Sequence, residues 1–281
     1  MIDAAPPRRI WLCADDYGLS PGVNRAIRDL IERRRLNATS VMVVGPAAAR
    51  DEIKALQAAA ASNPRCAIGL HATLTAPFRP LTMHFRPTDG GMFLTYTNLL
   101  RAGLLHRLDT EIVRAELIVQ LSAFSETFGR TPDFVDGHQH VQLFPQVRDA
   151  FLKAVKAAAP NAWVRQSGRN QVLARRLRRP KALVLDFLST QFRRRAARAG
   201  IAFNPGFEGA YDFSGRADFG NLMREFLDEL PANGVIMCHP GFVDDTLVSL
   251  DPFTTARERE HAFLASDDFP HLLATNKVTL T

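Results

Sequence analysis

The chain has 281 residues, of which 46% are apolar, with a net charge of +6. That supplies a sizeable core and suits one (β/α) barrel domain spanning 1–281. No run approaches the roughly 18 apolar residues of a spanning helix, and the opening MIDAAPPRR lacks the apolar region and cleavage site of a secretory signal, so a cytoplasmic protein is expected.

In chain order, residues 10–14 form a short apolar run, the pattern of a strand buried on both faces, and stop at Asp15 and Asp16. Ser20, Pro21 and the stripe Val23, Ala26, Ile27, Leu30 and Ile31 predict a helix directly afterwards. Residues 40–44 predict a second strand, closing a β-α-β unit, and 66–70 a third, which ends at His71. Proline and glycine between 77 and 91 mark an excursion of the kind that carries a substrate lid. An amphipathic helix spans 110–128 and ends at Gly129. Further strands at 134–135, 162–164 and 235–238 run into Asp136-Gly137-His138-Gln139-His140, Arg165 and His239. Alternating strand and helix signals predict an α/β fold, a distorted TIM-like (β/α) barrel. Cys13, Cys66 and Cys238 are odd in number, widely spaced and sit in these runs, so buried thiols are predicted rather than disulfides or a CxxC metal site.

Carboxyl ends of barrel strands converge on one mouth, so these polar residues are the candidate site. An isolated Asp-Asp pair is ordinarily a solvated turn. At a strand end, however, successive side chains point to opposite sides, and one acid can bind a metal while the other takes a proton. His71 alone could be a structural imidazole; its place after Gly69-Leu70 turns it toward the mouth. His138 and His140 share a face if extended, and Asp136 is available to orient an imidazole. A mixed Asp/His set with open positions produces a nucleophilic water near neutral pH. His239, before Pro240-Gly241, reads either as a turn residue or as a general acid.

The segments ADDYG (14–18), GLHATLT (69–75), PDFVDGHQHVQLFP (132–145) and MCHPGF (237–242) together resemble the YdjC-like carbohydrate deacetylases. The resemblance implies a distorted barrel holding one divalent metal ion, zinc or magnesium, on Asp16, His71 and His138. It makes Asp15 the base and His239 the acid, and has Arg165 hold Asp15 ionised or bind substrate, with Asp136 and His140 in supporting or substrate positions. Where the family often shows DSHHHVH this chain has DGHQHVQ, so Gln139 and Gln142 replace imidazoles. That form, with NPGFEGAYDFSG (204–215), is more similar to the hopanoid-biosynthesis, HpnK-like branch than to the chito-oligosaccharide branch, and implies N-deacetylation of a glucosaminyl glycolipid. The alternatives are a chito-oligosaccharide deacetylase, a phosphoester hydrolase, and a non-catalytic metal-binding partner of a membrane-lipid assembly; a homodimer is compatible with each.

Much of the positive charge lies between Arg165 and Arg198. Arg175, Arg176, Arg178, Arg179 and Lys181 precede an apolar stretch with Leu183, Leu185 and Leu188, and Arg193, Arg194, Arg195 and Arg198 follow it. This reads equally as a peripheral anchor for anionic membrane at the inner face and as a core helix with a solvated cationic rim. No aromatic-interleaved motif accompanies the charge, so no nucleic-acid partner is expected.

Overall fold

The computed structural model describes residues 6–168, 180–213 and 217–280. Its strands are β1 (Arg8–Tyr17), β2 (Ala38–Val41), β3 (Ala67–Ala72), β4 (Phe134–Gly137), β5 (Trp163–Val164), β6 (Phe207–Glu208), β7 (Val235–Cys238) and β8 (Val278–Leu280). All pair in parallel, in the order β5-β4-β3-β2-β1-β7-β6, with β8 beside the start of β1. Parallel pairing needs crossovers. These contain helices α1 (Pro21–Glu32), α2 (Arg50–Ser62), α3 (Tyr96–Leu104), α4 (Thr110–Phe128), α5 (Val147–Ala158), α6 (Pro180–Ala199), α7 (Phe219–Glu229), α8 (Asp245–Leu250), α9 (Thr255–Ala265) and α10 (Asp268–Thr275). The sheet curls until Val164 of β5 meets Phe203, upstream of β6, through one isolated parallel bridge. The predicted distorted (β/α) barrel is therefore the observed fold.

Period-two alternation divides β1 between two cores. Ile10, Leu12 and Ala14 face the helices in the main cluster, while Cys13 joins Ala38, Phe134, Phe207, Val235 and Met237 inside the barrel. Phe134 stacks on Trp163 there at 4.6 Å between ring centroids. Gly69 makes room for this stack, since a Cβ would lie 2.5 Å from the Phe134 ring. Aromatic rings thus fill the barrel interior on this side.

The predicted strands are present with shifted bounds. β2 begins two residues earlier than 40–44, whereas β1 and β3 run on through Asp15-Asp16 and His71. Cys13 and Cys238 are buried free thiols as expected, and Cys66 is half-buried just ahead of β3. The excursion at 77–91 precedes α3 and is tied to α4 at Leu81 and Thr82. Buried Glu116 of α4 accepts from the backbone N–H of Leu81 (3.0 Å) and Thr82 (2.9 Å) and from the Thr82 hydroxyl (2.7 Å).

The apolar stretch of the basic segment lies in α6. Leu188 is buried and Leu185 half-buried against the core, while Val184 and Phe187 are exposed. The two leucines therefore follow the core-helix pattern. Arg175, Arg176, Arg178, Arg179 and the side chains of Lys181 and Leu183 lie outside the described residues, as do Ser214 and Gly215 of the NPGFEGAYDFSG segment. Among the described residues no helix is long and apolar enough to cross a membrane.

Candidate active site

The two acids of β1 reach the mouth together because the strand bulges beneath them. Ala14 pairs with Thr39 but Tyr17 with Val41, so β1 carries one residue more than β2 over this stretch. Asp16 takes up the excess in a left-handed conformation, φ 70°. Such a bulge re-aims a side chain. The alternation expected from an unbroken strand does not hold, and both carboxylates line the same cavity of about 410 Å³.

Asp15 is enclosed by a buried guanidinium. Arg165, one residue past β5, donates Nη1 to Oδ1 (2.6 Å) and Nη2 to Oδ2 (2.7 Å). The Ser40 hydroxyl lies 3.4 Å from Oδ1. Burial pushes the Asp15 carboxyl up, but the Arg165 cation, helped by His71, outweighs it and holds the group well below the usual carboxylate range. Arg165 also lies 2.9 Å from Asp136 Oδ2, so one cation serves two carboxylates.

Asp16, His71 and His138 form the second arm of the site. Asp16 Oδ1 is 3.3 Å from His71 Nε2 and 3.0 Å from His138 Nδ1, and one donor atom from each residue lies within 4.8 Å of the others. His71 Nδ1 is tied to Asp136 Oδ1 at 2.6 Å, which turns Nε2 toward Asp16. Burial opposes charge on His71, but Asp136 and Asp15 prevail and push it up to about 10. The pocket therefore attracts positive charge. One ionised carboxylate oxygen and two imidazole nitrogens, one of them oriented by a further carboxylate, form a donor set that fits a divalent metal.

His140 does not share the face of His138. Gln139 and His140 are left-handed, φ 54° and 59°, inside a short 3₁₀ turn over His138–Leu143, so the strand geometry that would align the two imidazoles ends at Gly137. His140 Nδ1 is 3.1 Å from the Ser167 hydroxyl, and its ring meets Phe207 edge-on. It still lines the cavity, where burial and then the Arg165 charge pull it down to about 3.

His239 closes the cavity from the end of β7. Its backbone N–H donates to Glu260 Oε2 at 2.5 Å, and its ring meets Phe213 at 5.1 Å and 86°. Burial pulls the imidazole down to about 4. The structure also brings in residues that sequence reasoning missed. Arg257 of α9 donates Nη2 to Asp16 Oδ2 (2.6 Å) and to Asp251 (2.5 Å). Glu260 lies one turn along the same helix, and Phe78 packs edge-on to His138 at 5.8 Å. In sequence Arg257 and Glu260 sit within the charged run ARERE, which reads as a solvated helix face.

The family described as YdjC-like protein matches residues 9–275. The chain belongs to this family. A chitooligosaccharide deacetylase of Yersinia pestis (strain Pestoides F) is 30% identical over 237 residues, covering 84% of this chain and 83% of that protein, and the relative from Yersinia pseudotuberculosis serotype O:1b agrees to the same extent. Among solved structures, a putative cellobiose-phosphate cleavage protein from Enterococcus faecalis V583 is similar in fold, with TM-score 0.74 and 19% identity over 98% of this chain and 97% of that one. A peptidoglycan N-acetylglucosamine deacetylase aligns with TM-score 0.52 and 10% identity over 97% and 85% of the two chains. The YdjC-like assignment therefore stands on a match across nearly the whole barrel, and all four motif-bearing strand ends fall inside it.

Proposed function

We propose that the chain is a metal-dependent carbohydrate N-deacetylase that hydrolyses the acetamide of an N-acetylglucosamine-type sugar. The observation that carries this reading is the convergence of Asp16, His71 and His138 with Asp15 and His239 on one cavity. The deacetylase names of relatives 30% identical to this chain support it.

In this reading Asp16 Oδ1, His71 Nε2 and His138 Nδ1 hold the metal, zinc or magnesium. When bound, it supplies Lewis-acid polarisation of the acetamide oxygen and activation of water. Asp15, kept ionised by Arg165, accepts the proton that water loses on attack. Asp136 fixes His71 and is itself fixed by Arg165, so the two arms of the site keep one geometry. His239 delivers a proton to the departing amine nitrogen. It is neutral at rest, so the proton it delivers is the one that Asp15 takes from water, passed to the imidazole as negative charge develops beside it and on to the amine, which returns Asp15 to its ionised form. His140 and the cavity wall contact the sugar.

Two acceptors follow from different observations. The motif at 204–215 favours a glucosaminyl lipid of hopanoid biosynthesis, whereas the 30% identical relatives favour a chito-oligosaccharide equally. Acetate release from purified protein, assayed on diacetylchitobiose and on an N-acetylglucosaminyl lipid with added zinc or magnesium, tests the reading. Release from either substrate supports deacetylation and selects the acceptor; no acetate from any N-acetylated sugar, with metal bound, overturns it.

A further inference from the structure

A general acid is commonly oriented through its second ring nitrogen, by a carboxylate or carbonyl that accepts from it. Among the described residues none gives His239 that device. Its Nδ1 is buried and has no hydrogen-bond partner among the described residues. The ring must therefore take its orientation from its backbone and from what it packs against, and both lead to one side chain.

Glu260 is fully buried beneath the site. Its Oε2 accepts from the His239 backbone N–H at 2.5 Å, and its Oε1 accepts from the Tyr211 hydroxyl at 2.6 Å. Tyr211 lies on the segment after β6 that also carries Phe213, and the two rings are 4.2 Å apart. Phe213 is the ring set edge-on to His239. The segment leaves β6 through Gly209, at φ 111°, where a Cβ would lie 2.2 Å from the Met237 carbonyl oxygen. It thus runs hard against β7, two residues ahead of His239.

We infer that Glu260 is the positioning residue of His239, fixing the backbone on one side and, through Tyr211, the Phe213 wall that holds the imidazole on the other. A carboxylate is suited to this because each oxygen accepts one donor and neither competes for the ring nitrogens. Burial also pushes the Glu260 carboxyl up to about 7, against the pull of the Tyr211 and His239 donors and the Arg257 cation, so the site retains a costly buried acid where an apolar side chain would pack.

The inference rests on His239 serving as proton donor to the amine, and the test separates the two ideas. Turnover of an N-acetylated amino sugar, whose amine must be protonated, is compared with that of 4-nitrophenyl acetate, whose leaving group needs no proton, alongside bound metal. Glu260→Ala should lower kcat on the amide about 10- to 100-fold while KM, metal content and ester turnover stay within about twofold, the scale of a misplaced catalytic group. Tyr211→Phe should show the same amide-selective loss to a smaller degree. Glu260→Gln should restore most of the rate, since its Oε1 can accept from His239 N–H and its amide can donate to the Tyr211 oxygen.

Equal loss on amide and ester, or a Gln variant as impaired as the Ala variant, would mean that Glu260 only supports the fold and would overturn the inference. If Glu260→Ala does not fold, Tyr211→Phe decides: an amide-selective loss upholds the assignment and an unchanged amide rate overturns it. His239→Ala is the control for the underlying reading. Without amide selectivity in that variant the acid role itself fails, whereas selectivity there with Tyr211→Phe and Glu260→Ala silent removes Glu260 alone.

Discussion

Asp15 and Arg165 face each other inside the barrel in a two-point ion pair, with oxygen-to-nitrogen distances of 2.6 and 2.7 Å and both side chains out of contact with solvent. Arg165 also compensates Asp136, so removing it takes the cation away from two buried carboxylates, of which Asp136 keeps its contact with His71. Arg165→Met should therefore destabilise the protein by about 3–5 kcal/mol in urea unfolding, the usual cost of breaking a buried pair. Arg165→Lys cannot reproduce the fork and should fall between the two. A Met variant as stable as the parent would show that the pair does not hold the site together.

Asp16, His71 and His138 should each be needed for metal. Replacing any one by Ala should leave dialysed protein with little zinc or magnesium by mass spectrometry, while His140→Ala, directed at Ser167, should retain it. Metal retained in His138→Ala and lost in His140→Ala would exchange the roles of the two imidazoles.

Asp15→Asn should separate base from ligand. It keeps the side-chain shape but removes the proton acceptor, so metal content should persist while acetate release drops about 100-fold or more. Loss of metal in this variant would place Asp15, and not Asp16, in the metal site.

Glu260 should leave a signature in stability against pH. Its carboxyl stands at about 7 in the folded protein against an ordinary value of 4.5. Between those values the folded chain keeps a proton that the unfolded chain has released, so this group's contribution is full at acid pH and is lost as pH rises through about 7. Glu260→Gln carries no such proton. The melting temperature of the Gln variant relative to the parent should therefore climb as pH is raised from about 5 to about 8, and a constant difference would contradict the elevated carboxyl.

The strand ends could be read from sequence because a strand buried on both faces is an apolar run, and its first polar residue marks the mouth. Asp15, His71, Asp136, Arg165 and His239 were located that way. The backbone at those ends could not be. Asp16, Gln139 and His140 adopt positive φ without being glycine, and nothing local announces it, so alternation misplaced the Asp pair and aligned His140 with His138. Arg257 and Glu260 were hidden differently, since a charged run on a helix looks solvated until Arg257 is seen bonded to Asp16 and Glu260 to the His239 backbone just past β7. β6 and β8, two and three residues long, are too short to show a period.

The single bridge between Val164 and Phe203 has a consequence for how the barrel breathes. The other neighbouring strands share two or more paired positions, whereas among the described residues this seam has one strand bridge. There the Val164 amide is bonded to the Ala202 carbonyl at 2.9 Å, and the Asn204 side chain is bonded to the Gln166 backbone at 2.8 and 3.1 Å. Hydrogen exchange should find its earliest opening in the barrel wall there, through local fluctuation rather than global unfolding. Arg165 follows directly in the chain, so the guanidinium that clamps Asp15 sits beside the seam with the fewest paired strand positions, and a ligand that tightens the clamp would register as slower exchange at Val164.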